Sequence, residues 1–306
     1  MPENWNQKII DEFRANRGKV GAPFEDARLL LLTTTGARTG ARHTTPVAYL
    51  PDRERLVIIA SAAGSPKHPD WYHNLLAHPR VTVENGIFTY EADAVVLEGE
   101  EREEIFARAA EADPGWAAYQ AKTSRIIPVV ALRPLGPPPP SGAPGDFLKA
   151  VHDAFRRELA LIRKEVAASG RSLGAQLRVN CLTVCQGLHH HHLMEDAYML
   201  PTLGERHPEL AAPLARLREE HETIKRLLDE LQNLLSGEGS APGTAPATAP
   251  GTAPGTAPGT VAGTATATAP DTASVLADVE RLTAELEAHL DYEEEHLIPV
   301  LNGVAP

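Results

Sequence analysis

Six histidine and glutamate residues in the second half of the sequence lie where helical periodicity calls for apolar side chains. Each continues a row of apolar residues spaced three and four apart in one of four predicted helices: His152, His191, Glu195, His221, His289 and Glu293. Burying an ionisable group without a partner costs several kcal/mol. A metal cluster would account for all six together, because imidazole and carboxylate are common ligands of transition metals.

The positions of these residues along their helices indicate one shared site. In an up-down-up-down bundle, the starts of the first and third helices lie beside the ends of the second and fourth. The six side chains fall at these four places, so we expect them to meet at one level of the bundle. For any one of them alone, a core side chain satisfied by ordinary hydrogen bonds would be the simpler interpretation.

An internal run of four histidines, His189–His192, precedes Glu195. Successive residues of an α-helix point about 100° apart, so the four imidazoles cannot all face the core. We expect His191 to face inward and His189 and His190 to be solvated or to lie behind the ligands. Whether His192 is a further ligand stays open at this point.

The second half resembles the hemerythrin-like (HHE cation-binding) family over nearly all of residues 146–303, apart from one low-complexity insertion. The resemblance is carried by VHDAFRREL, HHHHLMEDAYMLPTL, LREEHETI and HLDYEEEHLIPVL, which include the HxxxE pairs His191/Glu195 and His289/Glu293. It implies a non-haem di-iron centre with carboxylates bridging two iron ions. Glu294 could replace Glu293 as a bridge, because some relatives use a step of five residues.

One departure from the family pattern concerns Lys225, which stands where oxygen-carrying hemerythrins have a second histidine on the third helix. Two octahedral metal ions have about twelve ligand positions. Four imidazoles, two bridging carboxylates and one oxo or hydroxo bridge fill all but about two of these. The count favours redox or gas chemistry over reversible oxygen carriage.

Two segments in the first half have residue types suited to a flat, anionic cofactor. In TTTGARTGARHTTPVAYL, Arg38 and Arg42 flank a glycine-containing turn between predicted strands. Such turns expose backbone N–H groups, and guanidinium groups bind phosphate. In ASAAGSPKHPDWYHNL, small residues let a flat ring approach the backbone, and Lys67 adds a cation. An ordinary charged hairpin is the alternative interpretation of the first segment.

Together with HPRVTVE and YQAKTSRIIPVVAL, these segments resemble the deazaflavin-dependent nitroreductase family, which uses coenzyme F420, from about Trp5 to Pro134. The resemblance implies a split β-barrel of the flavin-binding type. It also implies that the phosphate and acidic tail are bound by Arg38, Arg42 and Lys67, and that the ring is lined by Thr45, Pro46, Val47, Ser61 and Gly64. Trp71 and Asn74 would support the pocket, with a purely structural role as the alternative. Tyr119 and Arg125 lie on the implied substrate side. Tyr119 is a candidate proton donor or substrate contact, with a packing role as the alternative.

Two low-complexity segments divide the chain into predicted domains. Residues 136–145 form a proline-rich linker, and residues 236–270 form an Ala-Pro-Gly-Thr repeat that lacks core-forming residues and is predicted to be disordered. Six short β-rich runs with intervening helices predict an α+β barrel over residues 1–135. Four helical stripes predict an all-α four-helix bundle over residues 146–306.

Composition narrows the class of protein further. The chain has 306 residues and a net charge of −12, so we do not expect a nucleic-acid binder. No apolar run reaches the roughly 18 residues of a membrane helix, and the N-terminus lacks a signal-peptide core. Cys181 and Cys185, one helical turn apart, predict no disulfide scaffold and a reducing, cytoplasmic compartment. Their thiols could be buried apolar groups or a redox sensor.

Together, the two resemblances imply an F420H2-dependent oxidoreductase coupled to a non-haem di-iron centre. The expected partner is a small electron acceptor that takes two electrons: oxygen, peroxide, nitric oxide or a quinone-like electrophile. In one alternative, the di-iron bundle is a non-catalytic iron, oxygen or redox sensor that regulates the reductase domain. In another, two independent activities are joined by the linker. The chain could also assemble as a homodimer.

Overall fold

The computed structural model of the protein describes residues 2–136, 142–170, 172–236 and 272–303. Half of the predicted linker, residues 137–141, and nearly all of the predicted insertion, residues 237–270, lie outside these ranges. The described residues form a β-barrel with flanking helices, followed by a helical bundle. Within these ranges, no helix combines the length and the apolar character needed to span a bilayer.

A closed antiparallel barrel of six strands forms from the β-rich runs of the first half. Its strands in chain order are β1 Leu29–Thr35, β2 Arg42–Asp52, β3 Arg55–Ile59, β4 Arg80–Asn85, β5 Phe88–Leu97 and β6 Val129–Pro134. Around the barrel the order is β1-β2-β3-β6-β5-β4, and β4 pairs with β1 to close it. The prediction of a small barrel is confirmed.

Four helices flank the barrel. They are α1 Pro2–Ala15, α2 Asp70–Ala77, α3 Gly99–Ala112 and α4 Pro114–Ala121. Ile9 and Phe13 of α1 are buried against Leu29 and Leu31, on the outside of β1. The alternate residues of the strand, Leu30 and Leu32, belong to a separate cluster in the barrel interior. Because both faces of β1 are covered, its sequence is a continuous apolar run instead of an alternating one.

The second half forms four long helices and one short helix. They are α5 Pro144–Ala168, α6 Ala175–Met194, α7 Leu200–Arg206, α8 Ala211–Ser236 and α9 Thr272–Leu301. Apolar stripes of α5, α6, α8 and α9 share one core, which includes Ile162, Leu188, Leu228 and Leu286. The predicted all-α bundle is therefore confirmed, with α7 as a short continuation of α6.

The second bundle helix departs from the predicted stripe after Glu195. Residues Glu195–Met199 form a π-helical turn instead of continuing the α-helix. A π turn adds a residue to the helical repeat, so the side chains beyond it rotate relative to an ideal stripe. Tyr198, which continues the apolar stripe in the sequence, is consequently 65% exposed, whereas Glu195 stays buried.

Charged and polar groups connect the barrel to the bundle. Arg28, which precedes β1, donates to Glu158 of α5 at 2.7 Å and also pairs with Glu165. Its side chain is only 9% exposed. Arg157 donates to the carbonyl of Gly18 at 2.8 Å, and Gln176 donates to the carbonyl of Pro51 at 2.8 Å. The two halves therefore contact each other through directed hydrogen bonds that span three parts of the barrel.

We expect the β2–β3 turn to stabilise the protein less as the pH falls. Asp52 accepts hydrogen bonds from Arg55 and Arg108, each at 2.8 Å. Burial alone would raise the pKa of Asp52, but these two guanidinium groups outweigh it and lower the pKa. Since the folded pKa lies below the unfolded one, this stabilisation is complete at neutral pH and is lost as the pH falls through the folded pKa.

Asp52→Asn should therefore lower the free energy of unfolding by about 1–3 kcal/mol at pH 7. The difference from the parent should shrink as the pH falls below the ordinary aspartate pKa of about 3.9. Urea denaturation at a series of pH values measures both. Asp93→Asn is the matched control, because Asp93 is 46% exposed and 3.8 Å from Arg80, and should cost less than about 0.5 kcal/mol. A difference that did not change with pH would contradict the electrostatic explanation.

Candidate metal centre and cofactor site

Four long helices and the π turn after α6 bring seven potential metal ligands together. The ligand atoms form two groups, and within each group all of them lie within 4.8 Å of one another. One group comprises His192, His221 and His289; the other comprises His152, His191, Glu195 and Glu293. All six residues predicted from the sequence are present, and His192 joins them. The neighbouring His189 and His190 are both exposed, in keeping with solvated positions.

The inward-facing atoms of this cluster lack hydrogen-bond partners among the described residues. They are the Nε2 atoms of all five histidines and both carboxylate oxygens of Glu195 and Glu293. Some approach one another without good hydrogen-bond geometry: His191 Nε2 lies 3.0 Å from Glu195 Oε1, and His152 Nε2 lies 3.4 Å from Glu293 Oε2. Buried polar atoms are rarely left unsatisfied. Metal ions would satisfy these donor atoms, so the residues fit a pair of bound ions.

Carboxylates behind three of the imidazoles hold them in one orientation. The Nδ1 atoms of His152, His221 and His289 lie 3.1 Å from Glu294, 2.9 Å from Asp196 and 3.0 Å from Glu220, respectively. Such contacts place the proton on Nδ1 and leave the Nε2 lone pair for a metal.

The contacts of Glu294 bear on whether Glu293 or Glu294 bridges the metal ions, which the sequence leaves open. Glu294 accepts from Arg156 at 2.6 Å and contacts His152. Burial would raise its pKa, but these two contacts lower the pKa to about 2. The oxygens of Glu293, in contrast, are buried in the cluster and have no hydrogen-bond partner in the part of the chain that the structure describes. The geometry therefore favours Glu293 as the bridging carboxylate, with Glu294 as the group that orients His152.

Burial favours the neutral forms of most of these side chains. Desolvation lowers the pKa of His152, holds the pKa values of His191 and His192 well below the ordinary value, and lowers the pKa of His289 to about 4. Desolvation also raises the pKa of Glu195 well above the ordinary value and that of Glu293 to about 8. Without bound cations, ionised carboxylates are therefore disfavoured in this core.

The two cysteines are separate from this cluster. Cys181 and Cys185 are buried in the apolar core of the bundle. Burial raises the pKa of each thiol to about 12. Because the thiolate is the reactive form, this favours the packing interpretation over a redox-sensing thiol.

At the barrel, the predicted anion-binding cations lie on the β1–β2 turn and on the loop after β3. Arg38 and Lys67 are exposed, and Arg42 donates to Thr82 of β4 at 2.6 Å. Asn74 donates to Thr34 at 3.0 Å and accepts from the backbone N–H of Ala37 at 3.0 Å. Asn74 thereby ties α2 to the β1–β2 turn.

The loop after β3 has an unusual backbone conformation. Ala62, Ala63 and Gly64 have φ values of 45°, 53° and 80°, in the left-handed region that non-glycine residues seldom adopt. Arg125 holds this loop by donating to the carbonyls of Ser61 at 2.6 Å and Ser65 at 2.8 Å. Strained backbone of this kind clusters at functional sites. Arg125, placed on the substrate side by resemblance, is therefore a positioning residue for the loop.

The remaining predicted site residues of the barrel surround these two segments. Thr45, Pro46 and Val47 lie on β2, opposite Leu32, Leu31 and Leu30 of β1. Trp71 of α2 is buried in the barrel cluster. Tyr119 of α4 packs partly buried beside Trp116, with their ring centroids 6.1 Å apart.

Gly64 brings the strained loop against α4. A Cβ atom at Gly64 would lie 2.8 Å from the Tyr119 carbonyl and 2.8 Å from Lys122 Cβ. Only glycine therefore allows this close approach. This close approach places the loop that carries Ser61 and Lys67 directly against the helix that carries Tyr119.

The predicted cofactor-binding residue Arg42 and the contact with the bundle lie at opposite ends of β2. Arg42 begins this strand, whereas the contact with Gln176 is made at Pro51, near its end. At a rise of about 3.3 Å per residue, this separates Arg42 from that contact by about 30 Å along the strand. The predicted cations of the cofactor site are therefore remote from this docking contact of the bundle.

Comparison with known proteins assigns the two halves separately. Residues 5–134 match the family described as F420H(2)-dependent quinone reductase, and residues 143–301 match the family described as hemerythrin HHE cation binding domain. A putative F420H(2)-dependent quinone reductase of Mycobacterium tuberculosis is 32% identical over 117 residues, covering 38% of this chain and 98% of that protein. An F420H(2)-dependent quinone reductase of the same species is 36% identical over 124 residues, covering 39% and 83%.

Two solved structures show similar coverage of the first half. A structure of an F420-H2 dependent reductase is 41% identical, covers 35% of this chain and 94% of that chain, and has a TM-score of 0.33. A structure described as a domain-swapped dimer is 36% identical, covers 44% of this chain and 100% of that chain, and has a TM-score of 0.35.

Proposed function

Because residues 5–134 belong to the F420H(2)-dependent quinone reductase family and residues 143–301 to the hemerythrin HHE cation-binding family, we propose that this chain couples F420H2-dependent reduction of a small acceptor to a di-iron centre. The observation that carries the metal part is the set of five unpaired imidazole nitrogens and two unpaired carboxylates in one buried core. The strained loop between Arg125 and α4 supports the cofactor part.

In the barrel, the residues of the chain would bind and orient the cofactor. Bound F420H2 supplies a hydride, so the protein has to position its ring and provide a proton. The exposed cations Arg38 and Lys67, with Arg42, would bind its phosphate and acidic tail. The ring would lie against β2 and the strained loop: Thr45, Pro46, Val47, Ser61 and Gly64. Tyr119 is the candidate proton donor, and Trp71 and Asn74 keep the surrounding elements in place.

In the bundle, imidazoles would hold two iron ions and carboxylates would bridge them. Iron bound there would supply one-electron redox chemistry and open positions for a small ligand. His152, His191, His221 and His289 present unpaired Nε2 atoms for this purpose, and Glu195 and Glu293 lie between the helices that carry them. The electron count is compatible with coupling, since a hydride carries two electrons and a pair of iron ions can store two.

A regulatory role of the bundle is a second candidate, and the interface favours it. Helix α5 carries the candidate ligand His152 on one face. One to two turns later it carries Arg157 and Glu158, which bind Gly18 and Arg28 of the barrel. A change of α5 on metal binding would therefore reach the barrel directly, without any transfer of electrons.

The predicted anion-binding role of Arg38 and Lys67 is tested by the double variant Arg38→Ala/Lys67→Ala. Each lost charge-assisted contact should weaken F420 binding by about tenfold, and the loss should diminish as salt is raised. Titration of F420 fluorescence at two ionic strengths measures both effects. Arg163→Ala, an exposed arginine of α5, is the control and should bind F420 like the parent. Unchanged affinity in the double variant would show that the tail binds elsewhere.

Coupling between the two halves is tested by mixing the iron-loaded oxidised protein with F420H2 in the absence of oxygen. Coupling predicts that the iron absorption bleaches as F420H2 is consumed. If it does not bleach, but removal of iron changes the turnover of F420H2 with a quinone, the regulatory alternative is supported. If the iron absorption does not bleach and iron removal leaves the turnover of F420H2 unchanged, the two halves work independently.

A further inference from the structure

We infer that His192 is a fifth imidazole ligand of the proposed metal pair and completes the coordination of the ion held by His221 and His289. This inference rests on the proposed di-iron centre and adds a ligand that the apolar stripe of the helix does not indicate. It is carried by the burial of His192, by the contacts of its ring and by the position of α6 between its neighbours.

The burial of His192 requires an explanation. The residue is 5% exposed, and its Nε2 atom has no hydrogen-bond partner among the described residues. An ordinary core histidine satisfies its ring nitrogens with protein groups. His192 instead leaves Nε2 in the same condition as the four predicted imidazoles around it.

The contacts of the His192 ring place it with one of the two ligand groups. It stacks on His221 with centroids 4.5 Å apart and planes at 18°, and meets His289 edge-on at 5.1 Å. The potential ligand atoms of these three residues all lie within 4.8 Å of one another. Without His192, this group would consist of two imidazoles alone. Lys225, one turn beyond His221 on α8, is exposed and does not contribute.

The position of α6 explains how adjacent residues can serve two ions. His191 turns toward α5, with its ring 5.2 Å from His152 and 5.4 Å from Phe155. His192 turns toward α8, where it stacks on His221. Adjacent helical side chains diverge by about 100°, which suits a helix that faces the gap between two neighbours. The pair His191/His192 thereby supplies one imidazole to each ligand group.

A fifth imidazole changes what the metal pair can bind. The count of about twelve positions then leaves about one open, instead of two. That position belongs to the ion held by His152 and His191, since the other ion has three imidazoles. Phe155, which contacts His191, also lines a cavity of about 380 Å³ between the bundle and the barrel.

The test compares iron binding by the full-length parent, His192→Ala and His192→Gln. Metal-free protein is loaded with Fe(II) without oxygen, and the iron content per chain is measured before and after competition with a chelator. We expect two iron ions per parent chain. In both variants, one of the two ions should be lost or bound at least tenfold more weakly. Added imidazole should restore that ion in His192→Ala, which has space for it, but not in His192→Gln.

His190→Ala is the matched control, because His190 is the exposed neighbour in the same run, and it should bind two ions like the parent. Helix content by circular dichroism confirms that each variant is folded, and His192→Gln decides the test if His192→Ala unfolds. Retention of two ions with parental affinity in the His192 variants would overturn the inference while leaving the di-iron proposal intact. A parent that binds no iron would overturn both.

Discussion

Replacing Glu195 and Glu293 together by alanine is expected to abolish the binding of both metal ions. These two are the anionic members of the seven-residue cluster, and the other five are imidazoles whose neutral form is the metal-binding form. Without them, nothing in the cluster offsets the charge of two cations or bridges them. We expect the dissociation constant for Fe(II) to rise by more than about a thousandfold, equivalent to about 4 kcal/mol.

The same double variant should have the opposite effect on the metal-free protein. It removes two buried carboxyl groups that have no hydrogen-bond partner among the described residues, so its unfolding free energy without metal should equal or exceed that of the parent. With Fe(II) at about a thousand times the dissociation constant of the parent, only the parent should gain stability, by about 4 kcal/mol for each bound ion. Chemical denaturation with and without Fe(II) measures both quantities.

The control for this experiment replaces exposed glutamates on the same part of the chain. Glu205 of α7 and Glu287 of α9 are exposed, and Glu205→Ala/Glu287→Ala should bind two ions with parental affinity. A Glu195→Ala/Glu293→Ala variant that still held two ions per chain would contradict the proposed metal centre.

A single methyl group at Gly64 is expected to impair F420 binding by about 100-fold. The Cβ of Gly64→Ala would lie 2.8 Å from the Tyr119 carbonyl, so the loop has to move away from α4. That loop carries Ser61 and Lys67, and a displacement of about 1 Å in a binding site can cost about two orders of magnitude. Fluorescence titration of F420 measures the affinity, and iron content per chain verifies that the bundle is unaffected.

Gly303→Ala separates the effect of the clash from the effect of backbone strain. Gly303 has a φ of 71°, close to the 80° of Gly64, but no atom of the described residues lies within 4 Å of the place that a methyl group would take there. We therefore expect Gly303→Ala to cost about 1 kcal/mol of stability and to leave F420 binding unchanged. Parental F420 affinity in Gly64→Ala would remove the strained loop from the proposed cofactor site.

The metal cluster is the part of the molecule that the sequence predicts best. Polar residues on an apolar helical stripe are conspicuous, because the stripe itself fixes their direction, and all six lie in the cluster. The apolar stripe of α6 does not predict that His192 faces inward. His192 does so because α6 packs against two neighbouring helices at once. The rotation of Tyr198 depends on a π turn, which leaves no periodic signal in the residues before it.

The barrel was predictable as a class but not in its connections. β-branched runs indicate strands, whereas the pairing of β3 with β6 joins residues about 70 positions apart and has no local signature. The contacts of Arg125 are equally non-local, because its partners are backbone carbonyls more than 60 residues earlier, at Ser61 and Ala60. Arg28 and Glu158 are 130 residues apart, so the contact between the two halves is also absent from local pattern.

The contact between Arg28 and α5 bears on the order in which the two halves of the chain come together during synthesis. On the ribosome, Arg28 emerges 130 residues ahead of Glu158, so water surrounds that guanidinium until α5 has been synthesised. The barrel surface around Arg28 is therefore hydrated before the bundle packs against it. Docking of α5 then replaces that water with the Glu158 and Glu165 carboxylates, so this contact forms only after both halves have been made.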